Sequence, residues 1–315
     1  MNKKISTRTA YGEALAEIGS DPRIFVLDAD LQCCTRTEKF GALYPERSRN
    51  IGIAEANMVG IAAGMAACGK IVFVNSFAMF TAGRAFEQIR NSLAYPHLNV
   101  KVIGTHAGVS VGKDGATHQC LEDLAAMRSI PGMVVLSPCD ANETRLMTKA
   151  MAAYDGPCFM RLGRLDVEEC TNFVPGYRFE WGKATELYEG TDVTIIATGL
   201  MVQESLKARE LLAQEGISAA VLDMHTIKPL DREAVIKAAE KTGCIVTAEE
   251  ANILGGLGGA HSTEEARERF IRRRNGARQK EYLSAIDIGK ASVEDAEAAF
   301  GRTFSSAREA AEAYI

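Results

Sequence analysis

Residues 51–60 read IGIAEANMVG, and the chain continues through IAAGMAACG into KIVFV at 70–74. Met58, Ile61, Ala62 and Met65 follow the i, i+3, i+4, i+7 spacing of a buried helix face. KIVFV is a short, β-branched run of strand character. A helix over 54–68 that turns directly into a strand is part of a crossover unit, from which parallel sheets covered on both faces are built. One carboxylate, Glu55, stands in this otherwise small and apolar stretch. Burial disfavours the charged form of a carboxyl, so a group placed here is a candidate proton donor or acceptor. The plainer alternative is a first-turn acid that complements the helix dipole.

The alternation extends to either side. Strands are expected at 23–28, 100–105, 133–137 and 158–161, and helices at 9–18, 83–93, 120–128 and 141–154. Ser129-Ile130-Pro131-Gly132 is a turn. The pattern breaks at 166–179, where Pro175-Gly176 marks a linker. It resumes with strands at 193–198, 218–223 and 245–248 and helices at 203–215 and 232–242. The expected fold class is α/β with two domains, each a mostly parallel sheet with helices on both faces. The expected boundaries are 1–165, a linker at 166–180, and 181–315. Beyond about residue 260 the pattern gives way to an Arg-rich run, Arg267, Arg269, Arg272, Arg273, Arg274 and Arg278. It reads as a solvated helix face, with an acidic partner surface and a diverged or frame-shifted terminus as the alternatives.

Composition narrows the function classes. A chain of 315 residues with 47% hydrophobic content can build one large core or two modest ones. A net charge of −5 argues against general nucleic-acid binding. No apolar run approaches the ~20 residues of a membrane span, and the polar start MNKKISTRTAYGEALAEIG lacks a signal peptide's apolar core. Eight cysteines without a CxxC pair, among them Cys68, Cys120, Cys158 and Cys244, read as reduced core thiols of a cytoplasmic protein. Cys33-Cys34 is the odd pair, since sequence neighbours seldom bridge each other.

The second concentration of chemistry is THAGVSVGKDGATHQ at 105–119. His106 and His118 flank a glycine-rich loop that carries Asp114 and follows an expected strand. Ligands of open parallel sheets bind at such carboxyl ends, and imidazole ordinarily titrates near neutrality, which suits proton transfer. Arg8 and Arg164 are the phosphate candidates, because a guanidinium binds phosphate bidentately and keeps its charge. Arg161 is the alternative at the same strand end. From spacing alone, Phe77 and Phe80 are a core pair.

These pieces combine with STR at 6–8, DADL at 28–31, GIAEANM at 52–58, and the segment 76–90. SPCDANE at 137–143, RLGR at 161–164 and DMHTIKPL at 223–230 complete the series. Their order and spacing strongly resemble the C-terminal half of transketolase over roughly residues 5–259. The resemblance implies a thiamine diphosphate-binding fold followed by a transketolase C-terminal domain. It implies glycolaldehyde transfer between sugar phosphates, of the pentose phosphate kind. It further implies that Glu55 faces the cofactor's aminopyrimidine ring and shares a proton with it. Phe77 and Phe80 would hold that ring, Asp30 would lie near the thiazolium region, and Ile53 would pack on the cofactor. His106 and His118 would reach the substrate hydroxyls and the reacting carbon, Asp114 a substrate hydroxyl, and Arg8 and Arg164 the sugar phosphate. Three departures stand out. Lys113 replaces an acid common in relatives, and Ala56 replaces Gln or His. Cys33-Cys34 replace small polar residues near the substrate phosphate, which leaves the acceptor sugar open.

The family also needs a Gly-Asp-Gly and a later Asn for the diphosphate and its Mg²⁺ (or Ca²⁺). The chain has no Gly-Asp-Gly; Lys113-Asp114-Gly115 is the nearest approach. The resemblance then implies a split transketolase, with an N-terminal partner subunit holding diphosphate and metal and two copies of each subunit. Alternatives are a 1-deoxyxylulose-5-phosphate synthase-like chain, a 2-oxo acid dehydrogenase β subunit, a split transketolase for a branched or sulfonated sugar, and a non-catalytic scaffold subunit. The THQ, DADL and STR segments favour transketolase, and the retained Glu55, His106 and His118 argue against a scaffold.

Overall fold

The computed structural model describes residues 4–261 and the backbone of 283–284. In chain order the first part comprises β1 (Ile5–Ser6), α1 (Thr7–Ile18), β2 (Ile24–Asp28), α2 (Gln32–Thr35), α3 (Glu38–Leu43) and β3 (Ser48–Asn50). It continues with α4 (Glu55–Ala67), β4 (Ile71–Phe77), α5 (Phe86–Gln88), β5 (Val100–Thr105), α6 (Asp123–Ser129), β6 (Val134–Leu136), α7 (Ala141–Ala153), β7 (Cys158–Arg161) and β8 (Asp166–Val167). The second part holds β9 (Thr185–Tyr188), β10 (Val193–Ala197), α8 (Leu200–Gln214), β11 (Ala219–Asp223), β12 (Thr226–Lys228), α9 (Arg232–Thr242), β13 (Ile245–Ala248), α10 (Leu257–His261) and β14 (Leu283–Ser284).

A seven-stranded sheet runs β12-β6-β7-β5-β4-β2-β3, parallel throughout except for β12. Its central strands β4 and β5 are buried along their whole length. Side chains alternate between two cores. Val72, Val74, Val100 and Val102 join Met58, Val59 and Ala62 on one face. Phe73 and Ile103 join Tyr11, Leu15, Met147 and Met151 on the other. This period of two across a doubly covered sheet is the arrangement that apolar strands between helices require. Lys101 is the exception in β5. Fully buried, it donates to the carbonyls of Tyr154 and Gly156 at 2.7 and 2.6 Å, and burial pushes it down to about 8.

The smaller sheet runs β14-β13-β10-β11-β9, parallel except for the edge strand β9. β12 leaves this second part and pairs antiparallel with β6, closing one edge of the larger sheet. The apolar core follows it across, since Met224 and Ile227 share a cluster with Met127, Ile130 and Met133. The segment expected as a free linker is partly tied down: β8 pairs antiparallel with β1, and the Cys170 and Thr171 amides both donate to Asp140 at 2.8 Å.

Other expectations need correction. The buried face of α4 is Glu55, Met58, Val59, Ala62 and Ala66, whereas Ile61 lies with the exposed Asn57, Gly60 and Gly64. The i, i+4 rows dominate that packing, so the stripe is rotated from the expected one. Cys68 is exposed at the end of α4 and Cys244 is half-buried, while Cys120 and Cys158 are core residues as read. The helix expected at 83–93 is two π-helical stretches, Met79–Arg84 and Ile89–Ala94, around the short α5. The Arg-rich run at 267–278 lies outside the described residues. The two-residue β14, which the sequence did not announce, pairs with β13.

Candidate active site

The carboxyl ends of the parallel strands gather the chemistry. β2 delivers Asp28 and Asp30, β4 delivers Phe77, β5 delivers His106, and β7 delivers Arg161 and Arg164. Phe77 and Phe80 are stacked, with centroids 6.0 Å apart and planes 21° from parallel. His106 lies 4.0 Å from the Phe77 ring, and His118 lies edge-on to both phenyl rings at 5.9 and 5.3 Å. The π-helical turn makes this possible. Its wider i→i+5 step, closed by Ala85 N–H donating to the Phe80 carbonyl, re-aims Phe80 toward the histidines.

Glu55 begins α4 and is 1% exposed. Its surroundings are not purely apolar. Ser76 Oγ donates to Oε1 at 3.2 Å, and Arg84 Nη1 donates to Oε2 at 2.8 Å. The Arg84 side chain is half exposed and also sits 4.8 Å over the Phe80 ring. One guanidinium therefore links the buried carboxylate to the aromatic shelf. Sequence reasoning missed Arg84 and Ser76. The signal was an isolated cation four residues after Phe80 in an otherwise small-residue turn.

His106 is 3% exposed, adopts a left-handed backbone (φ 57°), and its Nδ1 lies 2.9 Å from Thr105 Oγ1. Burial, reinforced by the nearby Arg8 and Arg164, pushes it down to about 4. This corrects the expectation of an imidazole titrating near neutrality. Burial and the two cations both favour the neutral imidazole. His118 is half-buried, with Nδ1 2.9 Å from Thr117 Oγ1.

The loop between them is a 3₁₀ turn, Val109–Asp114, broken at Gly112 (φ 73°). Its entry is held from the second domain, where the Ser110 amide donates to Glu250. Gly108 leaves room for that carboxylate: a Cβ there would lie 2.6 Å from Glu250 Oε2. Arg164 Nη1 donates to the Val111 carbonyl and stands 3.9 Å from Asp114 Oδ2. Arg161, the alternative at this strand end, is buried and already engaged: Nε donates to Asp123 at 2.8 Å and Nη2 to the Glu250 carbonyl at 2.6 Å. Arg8 donates to the Cys34 carbonyl at 2.7 Å. Asp30, also left-handed (φ 64°), is paired with Asn50, which donates at 2.7 Å. Ile53 stands 76% exposed beside the start of α4.

The arrangement fits a planar, edge-polar ring: an aromatic shelf to stack it and a buried carboxylate at its margin. Among the described residues, two groups could hold a metal, Cys139 with Asp140 and Cys170, and Cys139 with Glu143 and Asp223. Both are fully buried and neither contains a residue of this site.

Comparison with known proteins agrees with the geometry. Residues 3–169 match the transketolase pyrimidine-binding domain and residues 182–306 the transketolase C-terminal domain. A 6-deoxy-6-sulfo-D-fructose transketolase subunit of a Clostridium species is 46% identical over 80% of this chain and 78% of its own length. One subunit of the apulose-4-phosphate transketolase of Phocaeicola vulgatus is 42% identical over 82% of each chain. A solved split-gene transketolase, an inactive β4 tetramer, is 44% identical with a TM-score of 0.77, over 99% of this chain and 97% of that one. The chain belongs to the transketolase family and corresponds to the C-terminal subunit of its split members.

Proposed function

We propose that this subunit, with a partner chain, transfers a two-carbon ketol unit from a ketose phosphate to an aldose phosphate in the cytoplasm. The single observation that carries the reading is the buried Glu55 carboxylate beside the Phe77–Phe80–His106–His118 cluster. Thiamine diphosphate, when bound, supplies the carbanion stabilisation that the transfer requires. Phe77 and Phe80 would hold its ring, with Ile53 and Asp30 beside it, and Glu55 would hold a proton at the ring's edge once Arg84 swings aside. The neutral His106 and the half-buried His118 orient substrate hydroxyls, His118 being the better placed to move protons. Asp114 accepts from a hydroxyl, while Arg8 and Arg164 grip the phosphate.

The partner would supply the diphosphate and Mg²⁺ (or Ca²⁺) ligands, giving two copies of each subunit. Two findings support this reading. The relative solved as a β4 tetramer is described as inactive. The helix that carries Glu55 also presents Asn57, Gly60, Ile61 and Gly64 to solvent, with Ile53 exposed just before it, a largely uncharged face suited to a second subunit. We place the functional units at 1–165 and 181–315, joined through 166–180.

The test is Glu55→Gln in the reconstituted complex. Gln keeps the volume but cannot share an ionisable proton. Assembly should persist while turnover falls about 10²–10⁴-fold, the usual contribution of a positioned acid–base group. Undiminished turnover would reduce Glu55 to a helix-terminal charge.

A further inference from the structure

A third guanidinium, which the reading of Arg8 and Arg164 does not use, stands at the same end of the site. Arg36 closes the short helix α2 in a left-handed conformation (φ 68°). A non-glycine residue is sterically disfavoured there. Its position is set by α1. A Cβ built on Gly12 would lie 2.6 Å from Arg36 Cβ, so the Arg36 backbone is seated directly on Gly12. Gly12 follows Arg8 by four residues and therefore lies on the same face of α1. Arg36 is thus placed over the helix next to Arg8. Of all neighbouring charges it acts most strongly on Arg8, and Arg164 acts in the same sense.

Three like charges crowd together, and the acid that acts back on Arg8, Asp166, weighs less than Arg36 or Arg164. Arg36 has a long ion pair with Glu38 at 3.8 Å, Arg164 one with Asp114 at 3.9 Å, and Arg8 a backbone carbonyl. Moreover, Arg8 Nε and Arg36 Nε are both sealed from water with no acceptor. Like charges held in proximity cost stability unless an anion completes them, and an unpartnered buried donor adds to that cost.

We infer that Arg36 is a third anion-binding residue, and that the three guanidinia select substrates ending in a dianionic phosphate over those ending in a monoanionic sulfonate. The inference rests on the assignment of Arg8 and Arg164 to the substrate's anionic end. A phosphate monoester carries nearly two charges and three acceptor oxygens at pH 7. A sulfonate offers the same three oxygens but one charge, so the third cation favours the phosphate.

The experiment uses the assembled complex and two donor ketoses of equal chain length, one ending in phosphate and one in sulfonate. Arg36→Met should lower kcat/KM on the phosphate sugar at least about tenfold, through KM. On the sulfonate sugar the loss should be at most about threefold, so the preference ratio narrows. Arg36→Lys keeps charge without the planar fork and should fall between; it also serves should the Met variant fail to assemble. Equal losses on both sugars, or no loss on the phosphate sugar, would overturn the inference. Arg8→Met separates the two claims. If it weakens both anionic sugars while Arg36→Met changes neither, only Arg36 is misassigned. If neither variant affects either sugar, the reading of this end as the anion site fails as well.

Discussion

His106 shows how a residue's chemistry can be set by its place and not its type. Its imidazole is buried beneath the Phe77 ring and faces two arginines, and both influences favour the neutral form. The folded pKa of about 4 lies below the ordinary 6.5. Between those values the unfolded chain binds the extra proton, so His106 supports the fold above pH 6.5 and loses that support as pH falls toward 4. The full difference is about 3 kcal/mol, as an upper bound. Asp28, pushed up to about 6 by burial, has the opposite sign and favours the folded state at low pH. The comparison that isolates the histidine is His106→Gln against the parent chain. Urea midpoints measured from pH 7 to 4 should fall more steeply in the parent; parallel curves would mean that His106 takes up its proton equally in the folded and unfolded chain. The sequence placed this histidine in the site, since a strand end followed by glycines is readable. Its protonation was not readable, because that depends first on burial and then on Arg8 and Arg164, which are distant in sequence and adjacent only in the fold.

At the scale of elements, periodicity carried well where an element packs on one sheet. β5, β7, β13 and α9 lie where the apolar pattern put them. It failed where packing partners come from elsewhere. β12 is three residues long and pairs with the other sheet, so no local alternation could announce it. The π-helical turns after β4 have the composition of an ordinary helix, so the sequence did not distinguish them; the first carries Phe80, whose ring meets His118. The buried stripe of α4 was misread by one row because apolar residues stand on every side of the helix, among them Ile61 and Met65 outside the stripe, leaving the hydrophobic pattern nearly featureless. The contact between α1 and α2 offers a direct check. Gly12 is occupied from above by Arg36 backbone and Cβ atoms, and backbone cannot step aside as a side-chain tip can. Gly12→Ala should destabilise the chain by about 1–3 kcal/mol, the usual cost of overpacking. Calorimetric melting would show a drop in Tm of several degrees; an unchanged or higher Tm would mean that α2 yields freely.

For the molecule as a whole, the two domains are fastened to each other at the site. Glu250, from the second domain, takes the Ser110 amide in the loop between His106 and His118 and gives its carbonyl to Arg161. β12 extends the first sheet, and the apolar core is continuous across the junction. The second domain thus holds the loop between His106 and His118 in shape. The same view bounds what this chain can bind alone. An aromatic stack contributes roughly 0.5–1.5 kcal/mol, and a hydrogen bond to a charged group about 1.5–3 kcal/mol. Together they reach at most about 4–5 kcal/mol, which corresponds to a Kd near the millimolar range. Tight retention of thiamine diphosphate requires the diphosphate and its Mg²⁺ to be held as well. The chain lacks the Gly-Asp-Gly that does this in the family. Titration calorimetry on the isolated subunit should therefore show no saturable binding below about millimolar cofactor, with or without Mg²⁺. Adding the partner subunit should produce tight, Mg²⁺-dependent binding, and Phe80→Ala should weaken it about three- to tenfold through the lost stack. Micromolar, Mg²⁺-dependent binding by this chain alone would place the diphosphate site within it and dissolve the case for a divided active site.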